Sequence, residues 1–196
     1  MIWKNDQVSR AETKKILELA KRCLDVEGDF VEMGCYKGDT SLLLASLLVE
    51  NFVEKPVKKL WIYDSFEGLP EKGDKDTSAL GVDFKKGELL VTKREVKERF
   101  LRSGLPVPRI KKGWFFDLVS EDLPDKIAFA FLDGDLYESI KDSLLLVEPK
   151  MSKRGVIVVH DYENLALPGV AKAVDEWLMN KSYQLEIFKS MVIINN

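Results

Sequence analysis

The chain has 196 residues, 45% of them apolar, and sets 30 lysines and arginines against 33 aspartates and glutamates for a formal charge of −3. Charges of both signs are interspersed, which argues against a nucleic-acid surface. No apolar run approaches membrane-spanning length, and the N-terminus lacks the apolar centre of a signal peptide.

A single domain over residues 1–196 is therefore expected, with enough apolar side chains for a core between two layers of helices. Cys23 and Cys35 form neither a CxxC pair nor a disulfide framework, so a reducing, cytoplasmic setting is expected.

Ser9-Arg10-Ala11-Glu12 is a capping box and opens a helix. Ile16, Leu19, Ala20, Cys23 and Leu24 follow at helical spacing and predict one buried face. Phe30 to Met33 reads as a short strand, with Glu32 near its end. Gly34-Cys-Tyr-Lys-Gly38 then leads into a Leu-rich helix that starts at Asp39, Thr40 and Ser41 and runs to about Glu50. Strand, glycine loop and helix make the opening unit of a nucleotide-binding fold, with free N–H groups at the helix start. The spacing is GxxxG, so neither the dinucleotide fingerprint nor a P-loop is present. An acid at Glu32 would repel a pyrophosphate and suits a cationic or hydroxyl-bearing ligand.

Lys59 to Asp64 is the second strand, again closing on an acid. Asp64 reads either as an acceptor for ribose hydroxyls or as a cap or turn residue. Ser65 opens a polar loop reaching about Leu89, long enough to be a lid or substrate segment, with disorder as the competing reading. Thr92 to Glu95 is a second capping box, whose helix ends at Gly104. The basic residues from Arg94 to Arg109 and Lys112 read as a solvated face. Arg109 to Lys112 is a third strand, followed by Gly113 and the aromatics Trp114, Phe115 and Phe116. An aromatic here can stack on a flat ring; for each taken singly, core packing is expected.

Ile127 to Leu132 is six apolar residues in a row, the signature of a strand buried on both faces. It ends in Asp133-Gly134-Asp135. The next helix is predicted to start near Glu138, which makes Asp135 either a reactive carboxylate or that helix's N-cap, and to stop at Pro149. Gly155 opens a fifth strand that ends in His160 and Asp161, His160 being the one histidine of the chain. If these two strands are neighbours, three carboxylates and an imidazole meet on one rim, as a metal site or an acid/base site. A helix from Pro168 and a hairpin of Gln184–Phe188 with Met191–Ile194 complete the chain. Tyr137 and Tyr162 either line a pocket or pack. Alternating strands and helices imply a parallel sheet covered on both faces.

Five stretches, FVEMGCYKGDTS, LWIYDSFEGLP, KKGWFFDLV, AFLDGDLYESIKDSL and RGVIVVHDYENLALPGVAKAVDEW, resemble the macrocin O-methyltransferase (TylF/MycF/NovP-like) family and lie in its order. The resemblance implies an α/β, Rossmann-like class I methyltransferase fold: a mostly parallel seven-stranded sheet with a C-terminal antiparallel hairpin. It implies S-adenosyl-L-methionine as donor, a divalent metal, usually Mg2+, and a small-molecule hydroxylated acceptor such as a sugar of a secondary metabolite. By the same resemblance Glu32, Gly34, Tyr36, Gly38, Thr40 and Ser41 bind the donor, with Asp64 and Ser65 on its ribose side and Gly113 and Trp114 near its adenine. Asp133 borders the donor and binds metal, Asp135 is the catalytic base, and Asp161 is the second acid of a metal-binding pair. The chain departs at the first member of that pair, which is His160. An imidazole suits Mn2+ or Zn2+ better than Mg2+, or else serves as a base with metal weak or absent. Little chain precedes Ser9 to supply the N-terminal lid elements of longer members. Nucleic-acid and membrane partners are not expected, and a homo-oligomer is left open. The alternatives are a metal-independent methyltransferase using His160 or Asp135 as base on an oxygen or nitrogen acceptor, and a non-catalytic donor-binding protein.

Overall fold

A computed structural model describes residues 7–51, 58–81 and 84–196. The sequence readings of the first six residues and of residues 82–83 in the polar loop lie outside the described residues.

The strands are β1 (Asp29–Met33), β2 (Leu60–Asp64), β3 (Arg109–Lys112), β4 (Ile127–Leu132), β5 (Met151–Val159), β6 (Gln184–Phe188) and β7 (Met191–Asn195). The helices are α1 (Arg10–Arg22), α2 (Asp39–Asn51), α3 (Lys93–Arg102), α4 (Tyr137–Val147) and α5 (Pro168–Leu178). One seven-stranded sheet runs in the order β3-β2-β1-β4-β5-β7-β6. The first five strands in that order are parallel, and β7 pairs antiparallel with both β5 and β6. This is the Rossmann-like arrangement the residues predict. The order reverses between β1 and β4, and ligands in such sheets bind in the crevice beyond the carboxyl ends of the strands there.

Strand residues alternate between two cores. Phe30, Ile62, Phe129 and Phe131 face α1, α2 and α3, where Ile16, Leu19, Leu42, Val96 and Phe100 meet them. Val31, Met33, Ala130, Leu132 and Ile157 face α4 and α5, against Ile140, Leu144, Val170, Val174 and Trp177. With helices on both sides, every residue of β4 is buried, which is why that strand has no polar alternation. Among the described residues no helix is long and apolar enough to cross a membrane.

Four boundaries differ from the sequence reading. β5 starts at Met151, not Gly155; Met151 pairs with Ile127 across a register shift, and the polar Ser152-Lys153-Arg154 hid the extension. α4 starts at Tyr137 with Leu136 at its N-cap, so Asp135 is not the cap. Past Val147 the chain tightens into a 3-10 turn, Glu148–Lys150, that includes Pro149, because proline is tolerated in a first turn. Leu24, placed on the buried face of the first helix, follows its end at Arg22 and is half-buried.

Both predicted capping boxes form, at Ser9/Glu12 and Thr92/Glu95. Glu12 does more than cap. Its Oε1 also accepts from Ser190 N at 3.2 Å and Ser190 Oγ at 2.6 Å, tying α1 to the β6–β7 turn. Burial alone would raise its pKa, but the hydrogen bonds from Ser190 and Ser9 outweigh that and hold it below the ordinary value. A depressed carboxylate contributes stability that is present above its unfolded pKa and lost as pH falls through the folded one. Glu12→Gln is therefore expected to cost about 1.5–3 kcal/mol near neutral pH, in the range for hydrogen bonds to a charged group. The gap from the parent should narrow below about pH 4. Urea denaturation at both pH values checks this; a gap that stays constant with pH contradicts the linkage.

Candidate functional site

The sheet delivers the site residues in register. Past the end of each strand, the next amide still bonds to its neighbour: Gly34 N to Tyr63 O at 2.9 Å, Asp133 N to Met33 O at 2.8 Å, His160 N to Leu132 O at 3.0 Å and Gly113 N to Asp64 O at 3.0 Å. Loops that the sequence separates thus leave the sheet side by side. Between them lies a cavity of about 430 Å3, a volume in the range for small-ligand sites. Glu32, Gly34, Tyr36, Thr40, Asp64, Ser65, Gly113 and Trp114 line it. Asp133, Asp135, His160 and Asp161 line it as well. Gly38 and Ser41 do not belong to its lining: Ser41 is fully buried, and Gly38 lies under Val96 of α3.

The glycine loop is held from below and from the side. Gly34 has φ +86°, and a Cβ there would lie 2.0 Å from the Asp133 carbonyl oxygen, so only glycine lets β1 and β4 leave the sheet this close together. Asp64 Oδ2 accepts from Cys35 N at 2.9 Å and Tyr36 N at 3.2 Å, and its Oδ1 from Phe66 N at 2.8 Å. Asp64 therefore is the turn residue of one reading while it also faces the cavity, where the other reading needs it. Ser65 Oγ donates to Gly68 O and accepts from Glu67 N, both at 3.1 Å. Arg99 was read as part of a solvated basic face. Its guanidinium instead donates to the Lys37 carbonyl and, at 2.5 Å, to Asp39 Oδ1, clamping the loop from α3. No local pattern marks Arg99, because its partners lie 60 and 62 residues away.

Glu32 is buried under the loop, with the Ser41 hydroxyl donating to its carboxylate. Burial pushes its pKa well up against the Ser41 hydrogen bond, and the charges of Asp133, Asp64 and Asp39 push it further.

On the rim, His160 Nδ1 lies 3.0 Å from both Asp133 Oδ1 and Asp161 Oδ2. Asp161 Oδ1 accepts from Asn164 Nδ2 at 2.8 Å. His160 is 4% exposed, and among the described residues its Nε2 has no hydrogen-bond partner. Burial alone would lower the imidazole pKa; the Asp133 and Asp161 carboxylates overturn that and raise it to about 11. Asp135 sits in the left-handed region at φ 61° and turns a carboxyl to the cavity. Burial and the charges of Asp133 and Asp161 raise its pKa well above the usual range, against His160. A carboxylate kept from ionising in this way is a stronger base once it loses its proton.

Asp133, His160 and Asp161 each offer a ligand atom, all within 4.8 Å of one another. An octahedral ion with bonds of about 2.1 Å sets adjacent ligands about 3.0 Å apart. The two 3.0 Å separations at Nδ1 fit such an ion and equally fit a shared Nδ1–H hydrogen bond. A histidine ligand commonly donates its other N–H to a buttress, and Nε2 lacks one among the described residues.

The aromatics divide. Trp114 and Phe116 stack in parallel, 5° apart in plane with centroids 6.2 Å apart. Phe116 is 67% exposed, so core packing fails for it. Phe115 is half-buried against the α4 side. Tyr137 and Tyr162 pack toward α5, through Glu176 at 2.6 Å and Asp175 at 2.8 Å, and neither lines the cavity.

Residues 11–191 match the family described as Macrocin-O-methyltransferase (TylF). Demethyldecarbamoylnovobiocin O-methyltransferase of Streptomyces niveus is 31% identical over 174 residues, covering 83% of this chain and 65% of the relative. 8-Demethyl-8-(2,3-dimethoxy-alpha-L-rhamnosyl)-tetracenomycin-C 4'-O-methyltransferase of Streptomyces olivaceus is 34% identical over 143 residues, covering 70% and 54%. The chain thus spans less than two thirds of the length of either relative. The solved structure of the O-methyltransferase NovP superposes with a TM-score of 0.81 at 29% identity, over 94% of this chain and 78% of that one.

Asp64→Ala removes three backbone acceptor contacts at once. It is expected to cost about 1.5–3 kcal/mol, the range for hydrogen bonds to a charged group, and to weaken S-adenosylhomocysteine binding. Urea denaturation and calorimetry check this; unchanged stability contradicts the structural role assigned to Asp64.

Proposed function

The chain belongs to the macrocin-O-methyltransferase family, and on that premise we propose that it transfers a methyl group from S-adenosyl-L-methionine to a hydroxyl of a small sugar-bearing or secondary-metabolite acceptor. The observation that carries this is the meeting of Asp133, Asp135, His160 and Asp161 in a cavity also lined by the clamped glycine loop.

When bound, the donor supplies an electrophilic methyl on a sulfonium. The work left to the protein is alignment of acceptor oxygen, methyl and sulfur, which is worth up to roughly 7–11 kcal/mol, and removal of the hydroxyl proton. Glu32 and Asp64 line the cavity beside the glycine loop, where they would face the donor. Glu32 favours a cationic group, which would draw its carboxyl toward ionisation. Trp114 offers a flat face on the same side. A carboxylate oxygen of Asp135 takes the acceptor's proton as the oxygen forms its bond to carbon and sulfur keeps the electron pair.

Asp133, His160 and Asp161 would hold a divalent cation, whose charge lowers the pKa of a nearby hydroxyl. With one nitrogen among three donors, Mn2+ or Zn2+ suits the set better than Mg2+. The metal-independent reading draws its own support from His160: the carboxylates favour its protonated form, and an imidazolium can offset the rim's negative charge without an ion.

Asp135→Asn and Asp161→Ala are each expected to abolish methyl transfer while S-adenosylhomocysteine still binds by calorimetric titration. The assay is labelled methyl transfer against hydroxylated sugars and phenols. Parent-like turnover in either variant contradicts the mechanism, and absent binding to the parent protein contradicts the donor assignment. Loss of activity in EDTA with recovery on Mn2+ or Mg2+ selects the metal-assisted form; activity that survives EDTA selects the other.

A further inference from the structure

α4 begins without a cap of its own. Its N-cap position is Leu136, which offers no side-chain acceptor, and the residue before it, Asp135, is turned into the left-handed region and faces the cavity. The first-turn amide is taken from elsewhere: Tyr137 N donates to Asp76 Oδ1 at 2.7 Å, across 61 residues of sequence. Asp76 Oδ2 accepts from Gly73 N at 3.1 Å. Asp76 belongs to the polar loop after β2, yet its side chain is buried.

The fold makes room for this acid. A Cβ at Gly169, in the first turn of α5, would lie 1.8 Å from Asp76 Oδ1. A rim of contacts surrounds it. Lys75 Nζ pairs with Glu176 at 2.7 Å and lies 3.9 Å over the Tyr137 ring. Lys172 Nζ donates to Lys75 O at 2.6 Å, and Ser78 Oγ to Leu165 O at 2.8 Å. The contrast with α1 and α3, which carry their caps in their own sequence, is physical. At α4 the residues leading into the helix are committed to the cavity, so the orphan N–H must find an acceptor supplied by another segment.

We propose that Asp76 is a positioning residue. By capping α4 from a distant loop, it makes the seating of residues 73–78 and the placement of Asp135 a single coupled arrangement. The loop that walls the cavity and the candidate base are set together. This rests on the reading of Asp135 as the base of methyl transfer.

The test is amide hydrogen exchange on the full chain, with S-adenosylhomocysteine calorimetry beside it. Asp76→Ala is expected to speed exchange about tenfold in both the 73–81 loop and residues 133–140, while β4 and the last turn of α4 keep their protection. Asp76→Asn keeps the Oδ1 acceptor and is expected to hold residues 133–140 within about threefold of the parent. Should Asp76→Ala not fold, Lys75→Ala combined with Ser78→Ala loosens the rim without touching Asp76. Exchange in the two segments is again expected to rise together. A response confined to one segment, or Asp76→Asn exchanging as fast as Asp76→Ala, overturns the proposal. Failure of the parent to bind S-adenosylhomocysteine overturns the proposed function instead, and leaves the exchange result standing.

Discussion

The close departure of β1 and β4 from the sheet is the constraint on which the rest depends. Gly34 passes so near the Asp133 carbonyl that a Cβ would sit 2.0 Å from it. That contact brings the glycine loop and the acidic rim together at one crevice. Without it, the loop ending in Gly38 and the acids following Leu132 would be two unrelated strand ends. With it, a ligand spanning the crevice touches both. The sheet order, reversing between these two strands, is the reason the crevice exists at all.

Negative charge is the second consequence. Glu32, Asp64, Asp133, Asp135 and Asp161 all line one cavity, and the neighbouring charges add to burial in raising the pKa of Glu32 and of Asp135. The molecule tolerates this through three different devices. Glu32 is buried and capped by the Ser41 hydroxyl, Asp64 is spent on backbone amides, and Asp133 and Asp161 share the imidazole of His160. For Asp135 the charge of His160 works against burial and the neighbouring acids. Asp135 and Asp161 both sit in the left-handed backbone region, at φ 61° and φ 60°, and strain of that kind persists where the surroundings enforce it and tends to mark functional positions. The buried Nε2 of His160 is a further cost kept at the same place.

Much of this was legible in the residues themselves. Six apolar residues before Asp133 announced a doubly covered strand, and two capping boxes announced α1 and α3, because those signals are local. The start of β5 was hidden, since Ser152-Lys153-Arg154 carry no apolar pattern and fall in the register shift between the Met151 and Val156 pairs. Arg99 was hidden for a related reason: on its own helix it is one basic residue among several, and only the packing of α3 against the glycine loop gives it Asp39 as a partner. Asp64 shows a different limit. The two readings of it, turn residue and cavity acceptor, are not exclusive in three dimensions, because a carboxylate has lone pairs enough for both.

The sequence by itself determined the kind of fold, the strand ends on which acids stand, and the family. Hydrophobic period, capping chemistry and motif order are properties of neighbouring residues, and they survive without coordinates. Tertiary structure alone decided which groups meet: that His160 bridges Asp133 and Asp161, that Arg99 clamps the loop, and that Asp76 caps a helix whose own leading residues face the cavity. Apart from the neighbouring pair His160 and Asp161, these contacts join residues 27, 60 and 61 positions apart, and what selects them is strand order and the close approaches at Gly34 and Gly169. No local signal in the sequence encodes that fit.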